Sequence, residues 1–429
     1  MSARRARLAT VALSAAACMA LALTACSPRS AAEPDPVTPG GVEVFTWWAS
    51  GSEKLAMDSL VSVFTQQNPD VTYVDGAIAG GAGSAAKDVL ASRLRNNDPP
   101  DTFQVHPGAE LADHVAQGRL QPLDDLYDEL ELAEVLPPEV LDLLTVDGSV
   151  YAVPSNLHRA NLVWVNPDVL VTAGLDPATR YASLDEWFVA LDAIAASGVT
   201  PLAIASTWTQ VHLLEQVLLS RLGPQAYAGL WDGTTDPTSG AVASALVDFG
   251  RLMRYTNADR DALDWQDAAQ LVLDGEAAFT VMGDWAEVPF EARNPGSVVW
   301  WPVPGTDDVF DLVMDAFTLP VGARHPEEAT AWLRTLASPQ AQVTFANAKG
   351  ALPARTDVSS GALARYQREA QASFVSDTLV PSVAHGAAIS PQSLAALTVA
   401  VSGFTRNTLS NVDLQAVLAS TTPWDPRTS

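Results

Sequence analysis

VEVFTWWASGSEKLAMDSLVSVFTQQNPDVTYVDGA, residues 42–77, reads as strand, helix, strand. VEVFTW is rich in β-branched and aromatic residues. Leu60, Val63 and Phe64 then recur at helical spacing until Asn68-Pro69 stops the run ahead of VTYVDGA. The alternation continues downstream: Ser84 is placed to cap a helix carrying Val89, Leu90 and Leu94, which Asn97-Asp98-Pro99-Pro100 closes, and DTFQVH (101–106) supplies a third strand. Strands separated by helices imply an α/β protein with a mostly parallel sheet covered on both faces. Beyond Tyr151 the pattern resumes, with strands at 162–165 and 201–205 and helices at 185–196, 210–222 and 240–255, so a second α/β lobe is expected.

The first stretch also poses a question. Neighbouring side chains of a strand point to opposite faces, so Trp47 and Trp48 cannot both enter one core, and at least one is expected to face a cleft or solvent. They stand at the carboxyl end of a strand, as do Gln104 and His106 at the end of DTFQVH, and ligands of open α/β sheets gather at such ends.

The chain opens MSARRARLATVALSAAACMALALTAC, a basic head, an apolar core and small residues, which is the pattern of an export signal over residues 1–25. A membrane-spanning helix over residues 8–25 is the competing reading. Leu23-Thr24-Ala25-Cys26 resembles the lipobox of bacterial lipoproteins, which would make Cys26 the lipidated N-terminus. Cys18 would leave with the signal and no thiol would remain in the mature fold. Residues 26–41, rich in Pro, Ala and Gly, read as a flexible tether. The ~390 residues behind them exceed one core, so two domains are expected. With 24 Lys and Arg against 50 Asp and Glu, the net charge is −26, which repels phosphate backbones and argues against nucleic acid as a partner.

Enzymatic and cofactor readings find little support. Gly80-Gly81-Ala82-Gly83 precedes a helix but lacks the Lys-Ser/Thr of a phosphate loop. The six histidines (106, 114, 158, 212, 325 and 385) show neither HExxH pairing nor a cysteine partner, so no metal and no cofactor are expected. No G-x-S-x-G elbow occurs, and fifty acidic residues make a glycosidase-like pair inevitable without being informative. An extracellular carbohydrate-active hydrolase is kept as the alternative to a binding protein. Several of the twelve tryptophans sit in turn-like contexts beside polar groups: Trp208 in STWTQ, Trp265 in LDWQD and Trp285 in MGDWAE. Pyranose rings offer an apolar C–H face to indole and hydroxyls at their edges, and Trp47, Trp48, Glu53, Gln104, His106, Asp315, Lys349 and His385 can supply both kinds of contact.

VFTWWASGSE, IAGGAGSAAKDVLASRLRNNDPPDTFQVHPG, YAVPSNLHRANLVW, STWTQVHLLE, AAFTVMGDWA and VAHGA together resemble the extracellular solute-binding proteins of ATP-binding-cassette sugar importers, nearest to their glucose/mannose-binding group. The likeness runs from about Val42 to Pro391. It implies a two-lobe periplasmic-binding-protein (Venus flytrap) fold with a hinge and an interlobe ligand cleft. Residues 42–154 plus about 315–345 would form the N-terminal lobe, and 155–314 plus about 346–429 the C-terminal lobe. Carried over by position, Trp48, Trp265 and Trp285 would stack on the sugar with Trp47 nearby. Glu53, Gln104, His106, Asp315, Lys349 and His385 would meet hydroxyls, with Asn156 and Trp208 as secondary candidates. The segments 152–156 and 312–315 would serve as hinges. The resemblance further implies a monomeric, lipid-anchored receptor outside the cytoplasmic membrane, with membrane permease subunits as partners. A receptor for a polyol or another non-sugar solute is a further alternative. Trp48→Ala is expected to weaken sugar binding at least tenfold, about 1.4 kcal/mol, without unfolding the protein.

Overall fold

β1 (Gly41–Phe45) pairs in parallel with β2 (Thr72–Asp75) on one side and β3 (Thr102–Val105) on the other. This is the sheet that the alternation demanded. In the computed structural model, which describes residues 40–79, 83–296 and 298–421, two sheets organise the two lobes. The export signal, Cys26 and almost all of the tether lie outside the described residues. Among those described, no helix is long and apolar enough to cross a membrane.

β4 (Ala152–Arg159) belongs to the first sheet. After a turn at Ala160-Asn161 the chain enters β5 (Leu162–Val165) of the second sheet. That sheet adds β6 (Thr200–Ala203), β7 (Ala277–Val281) and β8 (Val299–Pro302) in the spatial order β8-β5-β7-β6. Only β6 and β7 run parallel; β5 is antiparallel to both neighbours. The expected mostly parallel sheet therefore holds for β1 to β3 and fails here, because β5 lies between β7 and β8 and runs opposite to both.

β9 (Val309–Thr318) returns to the first sheet, where it runs antiparallel to β3 and to β4, and its first half pairs in parallel with β10 (Thr378–Pro381). The β4–β9 ladder sets Asp315 opposite Asn156 and Met314 opposite Leu157, with a register shift between Asp315 and Ala316. A bulge at this point re-aims side chains, and β4 and β9 are buried along their whole length. These paired strands contain both segments expected to act as hinges.

The helix Gly51–Gln67 lays Ala56, Met57, Leu60, Val63 and Phe64 into the first core. The next helix begins at Ser84 itself, and the residue in the cap position is Gly83 with φ +90°. A side chain at residue 83 would collide with the Trp47 ring, so the requirement for glycine overrides the capping preference of serine. Through the second core runs the helix Thr207–Asp232, buried almost continuously from Thr209 to Leu219 and broken at Gly223-Pro224, just after the expected end at Leu222. Gly108 has φ +101°, and a Cβ there would lie 2.4 Å from the carbonyl oxygen of Ala387. That close approach, sealed by the Ala109 N–H donating to Ala387 O at 2.9 Å, presses the His385 loop against the end of β3.

Candidate functional site

β1 ends at Phe45, so Trp47 and Trp48 lie in the turn beyond it, where strand alternation no longer applies. Both rings enter the first core and both border one cleft. The pair that could not share a face in a strand does so in a turn. The cleft encloses ≈ 400 Å³ open to bulk and is lined by Trp47, Trp48, Glu53, His106, His158, Trp208, Trp265, Trp285, Val313, Asp315, Lys349 and His385.

The sequence had indicated ten of these. Gln104 and Asn156 stand behind the wall: Gln104 Nε2 donates to Asp315 Oδ1 at 2.8 Å and Asn156 Nδ2 donates to Oδ2 at 3.0 Å. Gln104 Oε1 in turn accepts from the Thr46 hydroxyl and from the Trp47 N–H, tying the tryptophan turn to Asp315. His158 and Val313 were missed. A signal existed for both, since residues two apart on a strand share a face, and His158 and Val313 stand two from Asn156 and Asp315. Lys87 was also missed. Its Nζ sits 5.2 Å from the Trp47 ring centroid, 3.2 Å from His106 Nδ1 and 2.6 Å from Glu110 Oε2.

Each site residue is held by the element beneath it. Glu53 lies in the first turn of its helix, Lys349 in the last turn of the helix Pro339–Lys349, and Trp265 opens another helix behind an Asp264 capping box. Gly350, at φ +74°, ends the lysine helix against Asp284 O. Trp285 follows β7 in a short 3-10 turn. Trp48 is only 1% exposed and packs on Phe345 and Phe317, with ring centroids 4.9 and 5.9 Å away. Truncating it therefore empties part of the core as well as a cleft wall. Trp48→Ala is therefore expected to cost about 3–5 kcal/mol of stability in addition to the lost binding.

Charged side chains in and beside the cleft have partners within the chain. Lys349 Nζ meets Glu53 Oε1 at 3.0 Å and lies over the rings of Trp48 and Trp285 at 5.6 and 5.9 Å. Burial alone would raise the Asp315 pKa. The hydrogen bond and charge of His106, then His158 and Lys349, reverse this and hold it well below the ordinary carboxylate value. Glu110 is brought down to about 2 against its own burial, by the Lys87 charge and then by His106. Burial, followed by the nearby His212 and His106, holds His385 well below the usual imidazole value, so its ring is neutral.

The histidines that looked isolated in sequence are gathered by the fold. The rings of His106, His212 and Trp285 surround His385 at 5.7, 5.6 and 5.3 Å between centroids. Among the described residues one group, His212, Glu215 and His385, offers ligand atoms close enough for a metal ion. Glu215 already accepts from Tyr227, Ser382 and the Val383 N–H, so its oxygens are engaged by donors of the chain itself.

Two α/β lobes, joined where β4 leads on into the second sheet and β9 returns from it, flank a cleft lined by indoles and charged side chains, an arrangement suited to enclosing a solute. The family model described as bacterial extracellular solute-binding protein matches residues 48–343, and the chain belongs to that family. An uncharacterized ABC transporter extracellular-binding protein of Pyrococcus horikoshii is 34% identical over 361 residues, covering 83% of this chain and 81% of the relative. The xylose/arabinose-binding protein XacG of Haloferax volcanii is 29% identical, covering 83% and 78%. Among solved structures, a chitin oligosaccharide binding protein superposes with a TM-score of 0.78 at 19% identity, covering 89% of this chain and 97% of its own. The protein is thus an exported solute-binding component of an ABC importer and not an enzyme, which removes the hydrolase alternative.

Proposed function

We propose that this receptor captures a neutral sugar, a glucose- or mannose-like monosaccharide or a short oligosaccharide built from it, and delivers it to the importer's membrane permease subunits. The observation that carries the reading is that the charged side chains of the cleft already have partners within the chain: Glu53 with Lys349 at 3.0 Å, and Asp315 with the Gln104 and Asn156 amides at 2.8 and 3.0 Å. A charged ligand would leave one of these groups uncompensated, whereas an uncharged polyhydroxyl compound meets carboxylates with its O–H donors and Lys349 with its oxygens. The indoles of Trp47, Trp48, Trp265 and Trp285 offer apolar faces to the C–H side of a ring. The relatives support a sugar ligand in a general way, one of them being named for xylose and arabinose.

The first-lobe residues Trp47, Glu53 and His106 and the second-lobe residues Trp265, Trp285 and His385 would be bridged by one ligand, which favours a closed form by bonding to both sides at once. Flexing of β4 and β9, where the two sheets join, would permit that closure. Cys26 would carry a lipid anchor that holds a single receptor copy at the outer face of the membrane, and the segment behind it would act as tether.

A thermal-shift screen of the chain from Glu33 onward tests the reading, because a ligand of the folded state raises Tm by mass action. Glucose, mannose or a short glycan of either is expected to raise Tm. Xylose and arabinose are the discriminating controls, and a rise with these alone would reassign the sugar. Silence across all sugars with a rise for a polyol or an amino acid would overturn the proposal.

A further inference from the structure

Glu215, in the helix Thr207–Asp232, is 2% exposed and surrounded by donors. The Tyr227 hydroxyl at 2.6 Å and the Val383 N–H serve Oε1. The Ser382 hydroxyl at 3.1 Å and the Ala384 N–H at 3.4 Å serve Oε2. A carboxylate in this setting can only accept. The Ser382 proton is therefore committed to Glu215, and Ser382 Oγ has only lone pairs left for its other neighbour, His385 Nδ1, 2.9 Å away. That contact is a hydrogen bond only if Nδ1 carries the ring proton. The reverse arrangement, Ser382 donating to a bare Nδ1, would turn the hydroxyl lone pairs toward Glu215 Oε2.

We infer that Glu215 and Ser382 are positioning residues that fix the tautomer of His385, so that the cleft is offered a bare Nε2 able to accept a hydrogen bond and unable to donate one. His385 lines the cleft, and Nε2 is the ring nitrogen left once Nδ1 is taken. In water a neutral imidazole exchanges its proton between the two nitrogens; here the second partner decides which one keeps it. The consequence for specificity rests on the sugar reading above. His385 requires a ligand hydroxyl that donates, so a fluorine in its place, which only accepts, would face a second lone pair. The tautomer itself does not depend on that reading.

Two-bond 1H–15N correlation spectra of the ligand-free protein with 15N-labelled histidine test the inference at neutral pH, the His385 signals being assigned by their loss in His385→Asn. A pyrrole-type Nδ1 and a pyridine-type Nε2 are expected, and the opposite pattern would overturn the assignment. Ser382→Thr keeps the hydroxyl and should keep the pattern, whereas Ser382→Ala should move His385 toward the Nε2–H form. An unchanged pattern in a folded Ser382→Ala protein would show that Ser382 does not set the tautomer. Should Ser382→Ala fail to fold, the wild-type spectrum still decides. With a sugar found by the Tm screen, one position of its monofluorinated series is expected to lose about tenfold in affinity. If no sugar binds while the Nδ1–H pattern stands, the sugar reading fails and the positioning inference survives.

Discussion

Asp311 and Asp315 lie four residues apart on β9, both almost wholly buried, and their pKa values are pushed in opposite directions. Asp315 receives Gln104 and Asn156 and faces His106, His158 and Lys349, so it is ionised well below the ordinary range. Asp311 has Gln216 donating to Oδ2 at 2.6 Å while its Oδ1 finds no partner among the described residues. Burial first, and the Glu215 carboxylate second, push its pKa well up. Residue type and strand are the same; what differs is whether donors and positive charge converge on the carboxylate. Burial raises both pKa values, and only at Asp315 do enough cations and donors gather to overcome it.

The largest effect should come from Asp315→Asn. It keeps the shape, removes the charge and sets an amide against the Gln104 and Asn156 donors. Sugar affinity by calorimetry should fall about hundredfold or more, about 2.7 kcal/mol. A loss of less than threefold would place the ligand elsewhere. The pH trend follows from the sign of the shift. A depressed folded pKa contributes stability that is present above the unfolded value and lost as pH falls, so the Tm deficit of this variant should shrink on acidification.

Gln104→Met removes the donor behind Asp315 and the acceptor of the Trp47 N–H without touching the cleft surface. Affinity should fall about tenfold, roughly 1.4 kcal/mol, less than for Asp315→Asn because Asn156 remains. Unaltered affinity would mean that Asp315 is oriented without help.

Asp311→Asn should have the smallest effect and the opposite pH trend. A raised folded pKa costs nothing below the unfolded value, and the stability it supports is lost as pH rises toward the folded one. An amide escapes that loss. The variant should match wild type near pH 4 and gain about 2–4 °C in Tm near pH 8, with sugar affinity unchanged. A Tm difference that stays constant with pH would remove Asp311 as the protonated member of the pair.

Much of this was readable locally. Apolar periodicity placed β1 to β3 and the helix around Leu60, because the residues that define such elements are within a few positions of one another. The tryptophans in turn contexts and the charged residues between them outlined the cleft. Ser84 misled, since the choice of cap was made by Trp47 packing on Gly83. The second sheet misled as well, because whether β5 runs parallel depends on the strands that flank it, β7 and β8, which come more than a hundred residues later, and not on its own residues. Gln104 and Asn156 belong to the site but support it from behind, since both amides face Asp315 across strand pairs that no linear spacing reveals.

Composition and pattern alone sufficed for the α/β class, the signs of export, the acidic surface unsuited to nucleic acid and most of the residues around the cleft. Only folding could decide that Trp47 and Trp48 share one wall, that four of the histidines collect beside one carboxylate strand, and that the pKa values of Asp311 and Asp315 shift in opposite directions. Helix and strand periodicity is a short-range property of the chain. Protonation, tautomer and ligand geometry depend on burial and on partners tens to hundreds of residues away, and those exist only once the two lobes are packed.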